Sequence, residues 1–226
     1  MKTDVRSRKG RPDDRRTGAK TAREALSRDA KPAAAPGAAR PVSRYPVPAL
    51  DAMPEDIRGR ILKVQEKSGF IPNVFLMLAY RPDEFRAFMA YHDALMSKRE
   101  GLTAAEREMI VVAVSVANQC QYCVVAHGAI LRVRAKDPAI SELVAANWRK
   151  AGLPPRQRAI LEYATKVAHA SHLVTPEDRQ ALLDAGLTQD ELWDAGAIAA
   201  FFSMSNRLAN SIDLKPNREF QRIGRD

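Results

Sequence analysis

From residue 54 onward the apolar positions recur at steps of three and four, the spacing that keeps them on one face of a helix. In "MPEDIRGRILKVQEKSG", Ile57, Ile61, Leu62 and Val64 fall on roughly one face, and Gly69 stands where such a helix stops. Pro72 and Pro82 each sit where a helix can open, because proline has no N–H to lose in the first turn. Behind Pro82, a stripe of Phe85, Phe88, Met89, His92 and Leu95 follows, and His92 reads there as a packed or rim residue. "GLTAAEREMIVVAVSVANQC" is the most apolar segment. Thr103 and Glu106 have the spacing of a capping box, and the run Met109–Ala117 is apolar almost all round, as a central helix is. Further helices are predicted at roughly 120–134, 137–150, 155–171, 176–185 and 189–211. Thr188 and Glu191 repeat the capping spacing, and "GLT" at 101–103 returns at 186–188, a hint of duplicated helical units. No convincing run alternates apolar and polar residues as strands do. The predicted class is all-α, a compact helical domain over 42–226.

Composition changes that picture at one end only. The 226 residues are 46% hydrophobic, enough for a sizeable core, and carry a net charge of +9. Residues 1–40 hold 12 Lys/Arg against 5 Asp/Glu, whereas the remainder holds 24 against 22. The basicity therefore belongs to the tail. With almost no aromatic or β-branched residues, residues 1–41 are expected to be a disordered basic tail and linker, touching phosphates loosely and no specific nucleic acid. No run of 18 apolar residues and no secretory-type apolar stretch occurs, so no membrane partner is expected. Two cysteines cannot make a disulfide framework, which favours a reducing compartment, the cytoplasm.

Those two cysteines stand together in "QCQYCVVAH", with one of only four histidines following. On a helix over 120–134, Cys120, Cys123 and His127 share one face, and both thiols lie in the first turn, where unpaired N–H groups and the helix dipole favour a thiolate. His127, one turn beyond Cys123, can pair with that thiolate or carry its proton. Three readings compete. A disulfide within one helical turn closes a tiny loop and stabilises little. A closed metal site needs a fourth ligand from a distant His92, His169 or His172. A reactive dithiol needs nothing more, and it leads.

Two glutamates precede the thiols. A straight helix would hold Glu108 about 18 Å from Cys120. "NQ" at 118–119 offers a break, and folding back there sets His127 opposite residue 110, within a turn of Glu108. The expected order is thiol, histidine, carboxylate, with Glu106 left to its capping task.

The spacing of Glu108, Cys120, Cys123 and His127 resembles the core signature of the alkylhydroperoxidase D-like proteins of the carboxymuconolactone decarboxylase superfamily. The flanks "SGFIPNVFLMLAYRPDEFRAFMAYHDALM" and "FFSMSNRLANSIDLKPNREF" are similar to its peroxidase-related branch, so the resemblance covers roughly residues 44–222. It implies an all-helical homo-oligomer, a trimer or hexamer, reducing hydroperoxides without a bound cofactor, with electrons from a thiol or a lipoylated protein. Cys123 matches the peroxidatic cysteine, Cys120 the resolving one, and His127 with Glu108 the proton relay. Tyr122 departs from the pattern, standing where those enzymes carry a further relay histidine. The decarboxylase branch lacks the cysteine pair, which argues against a muconolactone substrate. Outside the resemblance, a dithiol sensor or interaction protein and a zinc-binding structural module remain the alternatives. Cys120, at the start of its helix, is expected to be the more mobile thiol and the one that meets a reductant, and Cys123 the more readily ionised.

Overall fold

Prolines and capping threonines set most of the helix starts. A computed structural model describes residues 41–225, so the expectation for the basic tail lies outside the described residues. Nine α-helices are found among them: α1 Glu55–Ser68, α2 Asn73–Leu78, α3 Pro82–Met96, α4 Ala104–Ala117, α5 Gln121–Ala135, α6 Ile140–Asn147, α7 Pro155–Ala170, α8 Pro176–Asp184 and α9 Gln189–Ser211. No strand occurs among the described residues, and the class is all-α.

Pro82, Pro155 and Pro176 each occupy the first turn of a helix. The capping boxes at Thr103–Glu106 and Thr188–Glu191 form as the spacing predicts, and a third forms at Thr175–Asp178. α1 ends at Gly69, whose φ of 80° suits the left-handed cap. The helix expected over 137–150 is shorter. Pro138 holds the residue before it out of the helical region, so α6 begins at Ile140, and a 3-10 turn over Trp148–Lys150 finishes the segment.

α4 packs against α5, α7 and α9. Ile110, Val111, Val112 and Val114 are fully buried in it, each contributing about 1.5–3 kcal/mol through the area removed from water. Around them lies one apolar cluster built from α4, α7 and α9. A second cluster gathers Ile57, Ile61, Met77, Phe85 and Met89 of the first three helices, with Phe70 from the connection after α1, onto α5 and the end of α9. Both cysteines belong to the second.

Charges inside the first cluster are paired. The buried Arg107 donates to the carbonyls of Leu95, Leu102 and Glu100 and lies 3.7 Å from Asp194, which also takes Lys98 Nζ at 2.5 Å. Arg156 donates to Glu106 at 2.9 Å and to Glu191 at 2.5 Å. One guanidinium thus joins the two capping boxes that the repeated "GLT" marks. Glu106 therefore has a second task beyond the cap assigned from its spacing.

Candidate functional site

The turn between α4 and α5 is built from three residues. Asn118 caps α4, Gln119 takes the left-handed φ of 55°, and Cys120 becomes the N-cap of α5. A non-glycine residue there is strained, and side chains of α9 hold it. Asn206, fully buried, accepts from Asn118 Nδ2 at 3.1 Å and donates to Ser115 Oγ at 2.9 Å. Asn210 donates to the Asn118 carbonyl at 3.0 Å. The Cys120 N–H goes to the Ser115 carbonyl at 2.9 Å. The helix–turn–helix is thereby pinned at its pivot, and the chain folds back as its sequence predicts.

That fold-back brings Glu108 and His127 together. Glu108 Oε2 lies 2.8 Å from His127 Nδ1, on side chains only 10% and 15% exposed. The carboxylate oxygen accepts from Nδ1–H, which leaves Nε2 as the nitrogen that can take up and hand on a proton. The His127 ring stands edge-on to Phe202, 4.8 Å between centroids.

The two sulfurs differ in a way the shared helix turn does not suggest. Cys120 lies outside the first turn, as the cap, and its Sγ accepts the Cys123 N–H at 3.3 Å. The neighbouring Cys123 thiol is the largest influence on its ionisation, and the Asn206 amide favours the thiolate form at both sulfurs. The Cys123 thiol, with the backbone N–H and Asn206, outweighs burial and lowers the Cys120 pKa to about 7. The same interaction raises the Cys123 pKa, and burial adds to the effect. The lowered value thus falls on Cys120, the reverse of the order expected from His127 alone. Nor is Cys120 the open thiol: it is fully buried, whereas Cys123 lines a cavity. Both are free thiols.

The cavity has a volume of about 340 Å³ and apolar walls, among them Val74, Phe75, Met89, Phe202, Leu214 and Phe220. Its titratable lining is Cys123, His127, His92 and Tyr122. Tyr122 spends its hydroxyl accepting the Val74 N–H at 3.2 Å, and burial pushes its phenol well up, so it does not replace a relay histidine. His92, expected to be a packed or rim residue, reaches this cavity from α3. His169 and His172 are exposed beside the end of α7 and are not part of it. No group of three His, Cys, Asp or Glu side chains among the described residues is placed to share a metal ion.

Sequence reasoning missed Asn206, and one signal could have found it. Along α9 the buried positions run Ala195, Ile198, Ala199, Phe202, Asn206 and Ala209, so the asparagine stands in an otherwise apolar register. A buried amide in such a place needs partners, and here they are Asn118 in the turn and Ser115 of α4.

Three comparisons bear on the site. The family model for the carboxymuconolactone decarboxylase family matches residues 82–146, which carry all four candidate residues. The solved structure of an uncharacterized peroxidase-related protein with an alkylhydroperoxidase AhpD core, from Ralstonia eutropha JMP134, is 62% identical, with a TM-score of 0.82 over 83% of this chain and 99% of that one. A peroxidase-related protein from Silicibacter sp. TM1040 is 34% identical, with a TM-score of 0.79 over 84% and 100%. Sestrin-2 from Homo sapiens is 29% identical over 125 residues, 55% of this chain. That match spans about a quarter, 25%, of the length of Sestrin-2.

Proposed function

We propose that this chain, which belongs to the alkylhydroperoxidase D-like proteins of the carboxymuconolactone decarboxylase superfamily, is a thiol-dependent peroxidase that reduces organic hydroperoxides through Cys123 and Cys120. The observation that carries this reading is that Cys123 and His127, the latter held by Glu108, line one apolar cavity. A cavity of this size and character suits a small hydroperoxide with an apolar body.

The chemistry follows from the positions. Near and above pH 7 the pair holds one negative charge and one proton between two sulfurs. The proton passes from Cys123 to Cys120, and the Cys123 thiolate attacks the terminal peroxide oxygen. An S–O bond forms and the O–O bond breaks, leaving a sulfenic acid on Cys123 and an alkoxide. His127, oriented by Glu108, delivers a solvent proton to the alkoxide, which leaves as the alcohol. Cys120 then attacks the sulfenic sulfur. Its proton departs with the hydroxide as water, and a Cys120–Cys123 disulfide remains.

An external dithiol, free or on a lipoylated protein, reduces that disulfide. Because Cys120 is enclosed, the reductant's thiol attacks Cys123 through the cavity and expels Cys120, the better leaving group. A homo-oligomer, trimer or hexamer, fits the exposed apolar stripe of Trp193, Met204 and Leu208 on α9.

The test is hydroperoxide consumption with dithiothreitol and then with dihydrolipoamide, alongside the mass of the oxidised protein. Turnover with loss of two hydrogens from the cysteine pair is the expected result. A disulfide without turnover would make the chain a dithiol sensor, and two thiols still alkylatable after peroxide would end the redox reading.

A further inference from the structure

His92 sits opposite a pair that it mirrors. Its Nδ1 lies 3.1 Å from Asp93 Oδ1, as His127 Nδ1 lies 2.8 Å from Glu108. Asp93 is fixed in turn by Arg60 of α1, whose Nη2 donates to both carboxylate oxygens at 3.0 and 2.7 Å. Both imidazoles pack against Phe202, with centroids 6.3 Å and 4.8 Å away. Both line the cavity that holds Cys123. Neither Nε2 has a protein partner among the described residues.

The groups facing His92 are Asp93 on its own helix and His127 and Glu108 from the helices opposite. Burial outweighs the carboxylates and lowers its pKa, so the ring is neutral at pH 7. With Nδ1–H donated to Asp93, Nε2 is an acceptor. The side chain is 27% exposed and lines the cavity, so this acceptor is open to a ligand that brings a donor. A hydroperoxide has one donor, the O–H on the terminal oxygen that the thiolate attacks.

Resting on the peroxidase reading above, we propose that His92 is a second histidine of the reaction site, whose Nε2 accepts the hydroperoxide O–H and aims the terminal oxygen at Cys123 Sγ. The proton never leaves that oxygen. It stays on the sulfenic acid once the S–O bond forms and the O–O bond breaks, and the alkoxide takes its proton from His127. Two histidines thus divide the work: His92 holds the oxygen that is transferred, and His127 serves the one that leaves. His92 also supplies, from another helix, a histidine in a cavity where Tyr122 cannot act as one.

The test compares His92→Leu with His92→Gln in the full-length chain, using cumene hydroperoxide. Leucine removes the acceptor, and glutamine restores an acceptor oxygen. Loss of one such hydrogen bond in the leucine variant should lower kcat/KM by about tenfold to a hundredfold, and glutamine should recover most of it. The iodoacetamide alkylation rate of the cysteines and its pH profile should stay unchanged in both, because alkylation needs no oriented O–H. If the leucine variant does not fold, His92→Asn keeps the acceptor on a shorter stem and should show the same loss. Peroxidase and alkylation rates falling together would overturn the assignment in favour of a packing role. An active unaltered protein matched by His92→Leu would overturn this assignment alone, whereas an unaltered protein that consumes no hydroperoxide would overturn the peroxidase reading and this one together.

Discussion

The two apolar clusters treat their polar groups in opposite ways. In the cluster of α4, α7 and α9, the buried Arg107 finds three carbonyls and a carboxylate, and Arg156 finds two carboxylates. Those groups have no unused valence to offer a substrate. In the cluster around α5, two histidines each spend one nitrogen on a carboxylate and keep the other free among the described residues, and one of two neighbouring thiols has its pKa lowered to about 7. The first region is built for stability, and the second gives some of it up. A cavity of about 340 Å³ forgoes the packing that would fill it, and a site needs that incompleteness.

Four experiments would break or sharpen that contrast. The largest effect should come from the thiols. Cys123→Ser should abolish both turnover and the sulfenic acid, while Cys120→Ser should leave one trappable sulfenic acid on Cys123 and no turnover. Dimedone labelling with peptide mapping reads both, and melting temperatures should move little. A sulfenic acid on Cys120 instead would reverse the roles argued from the cavity.

Next comes the ion-clamped region. Arg107→Met should cost about 3–5 kcal/mol by urea unfolding, since it leaves three carbonyls and part of Asp194 without their partner in a buried place. Stability within about 0.5 kcal/mol of the unaltered protein would show that the two regions do not differ as described.

The two glutamates of α4 test the contrast within one helix. Glu108→Gln should slow peroxide reduction about tenfold to a hundredfold with little change in stability, because it weakens the orienting of His127. Glu106→Gln should do the reverse. It keeps a capping box but loses the charge-assisted bond to Arg156, at about 1–2 kcal/mol, with the rate unchanged. Equal effects on rate would remove Glu108 from the relay.

The smallest effect is the pH dependence. A Cys120 pKa lowered to about 7 means that the pair holds both its protons below that value and only one above it. Alkylation and peroxide reduction should therefore fall about tenfold per unit below pH 7 and level off above it. A rise that begins only near pH 9, the ordinary thiol range, would show that the shared proton does not activate the pair.

Much of this was legible in the sequence because it is local. The capping boxes, the proline starts and the break at Asn118–Gln119 are signals within four residues of what they control. The fold-back at that break follows from them, and with it the meeting of Glu108 and His127. What was not legible depends on partners from other helices. Asn206 reaches the turn from α9, and Arg156 reaches two caps from α7. His92 joins the cavity only because α3 lies across from α5. The order of the thiols was missed for a subtler reason. Helix periodicity puts Cys120 and Cys123 on one face, but a cap residue faces the N–H groups that a first-turn residue presents to it.

The bond from Arg156 to both capping boxes ties together events far apart along the chain. Helix ends ordinarily fray one at a time, each on its own clock. Here the N-termini of α4 and α9 share a single counter-ion, so releasing either cap takes charge from the other. Their first-turn amides, at Glu106 and Glu191, should accordingly exchange with deuterium as one cooperative unit, slowly and at matched rates, and a change at residue 156 should free both together.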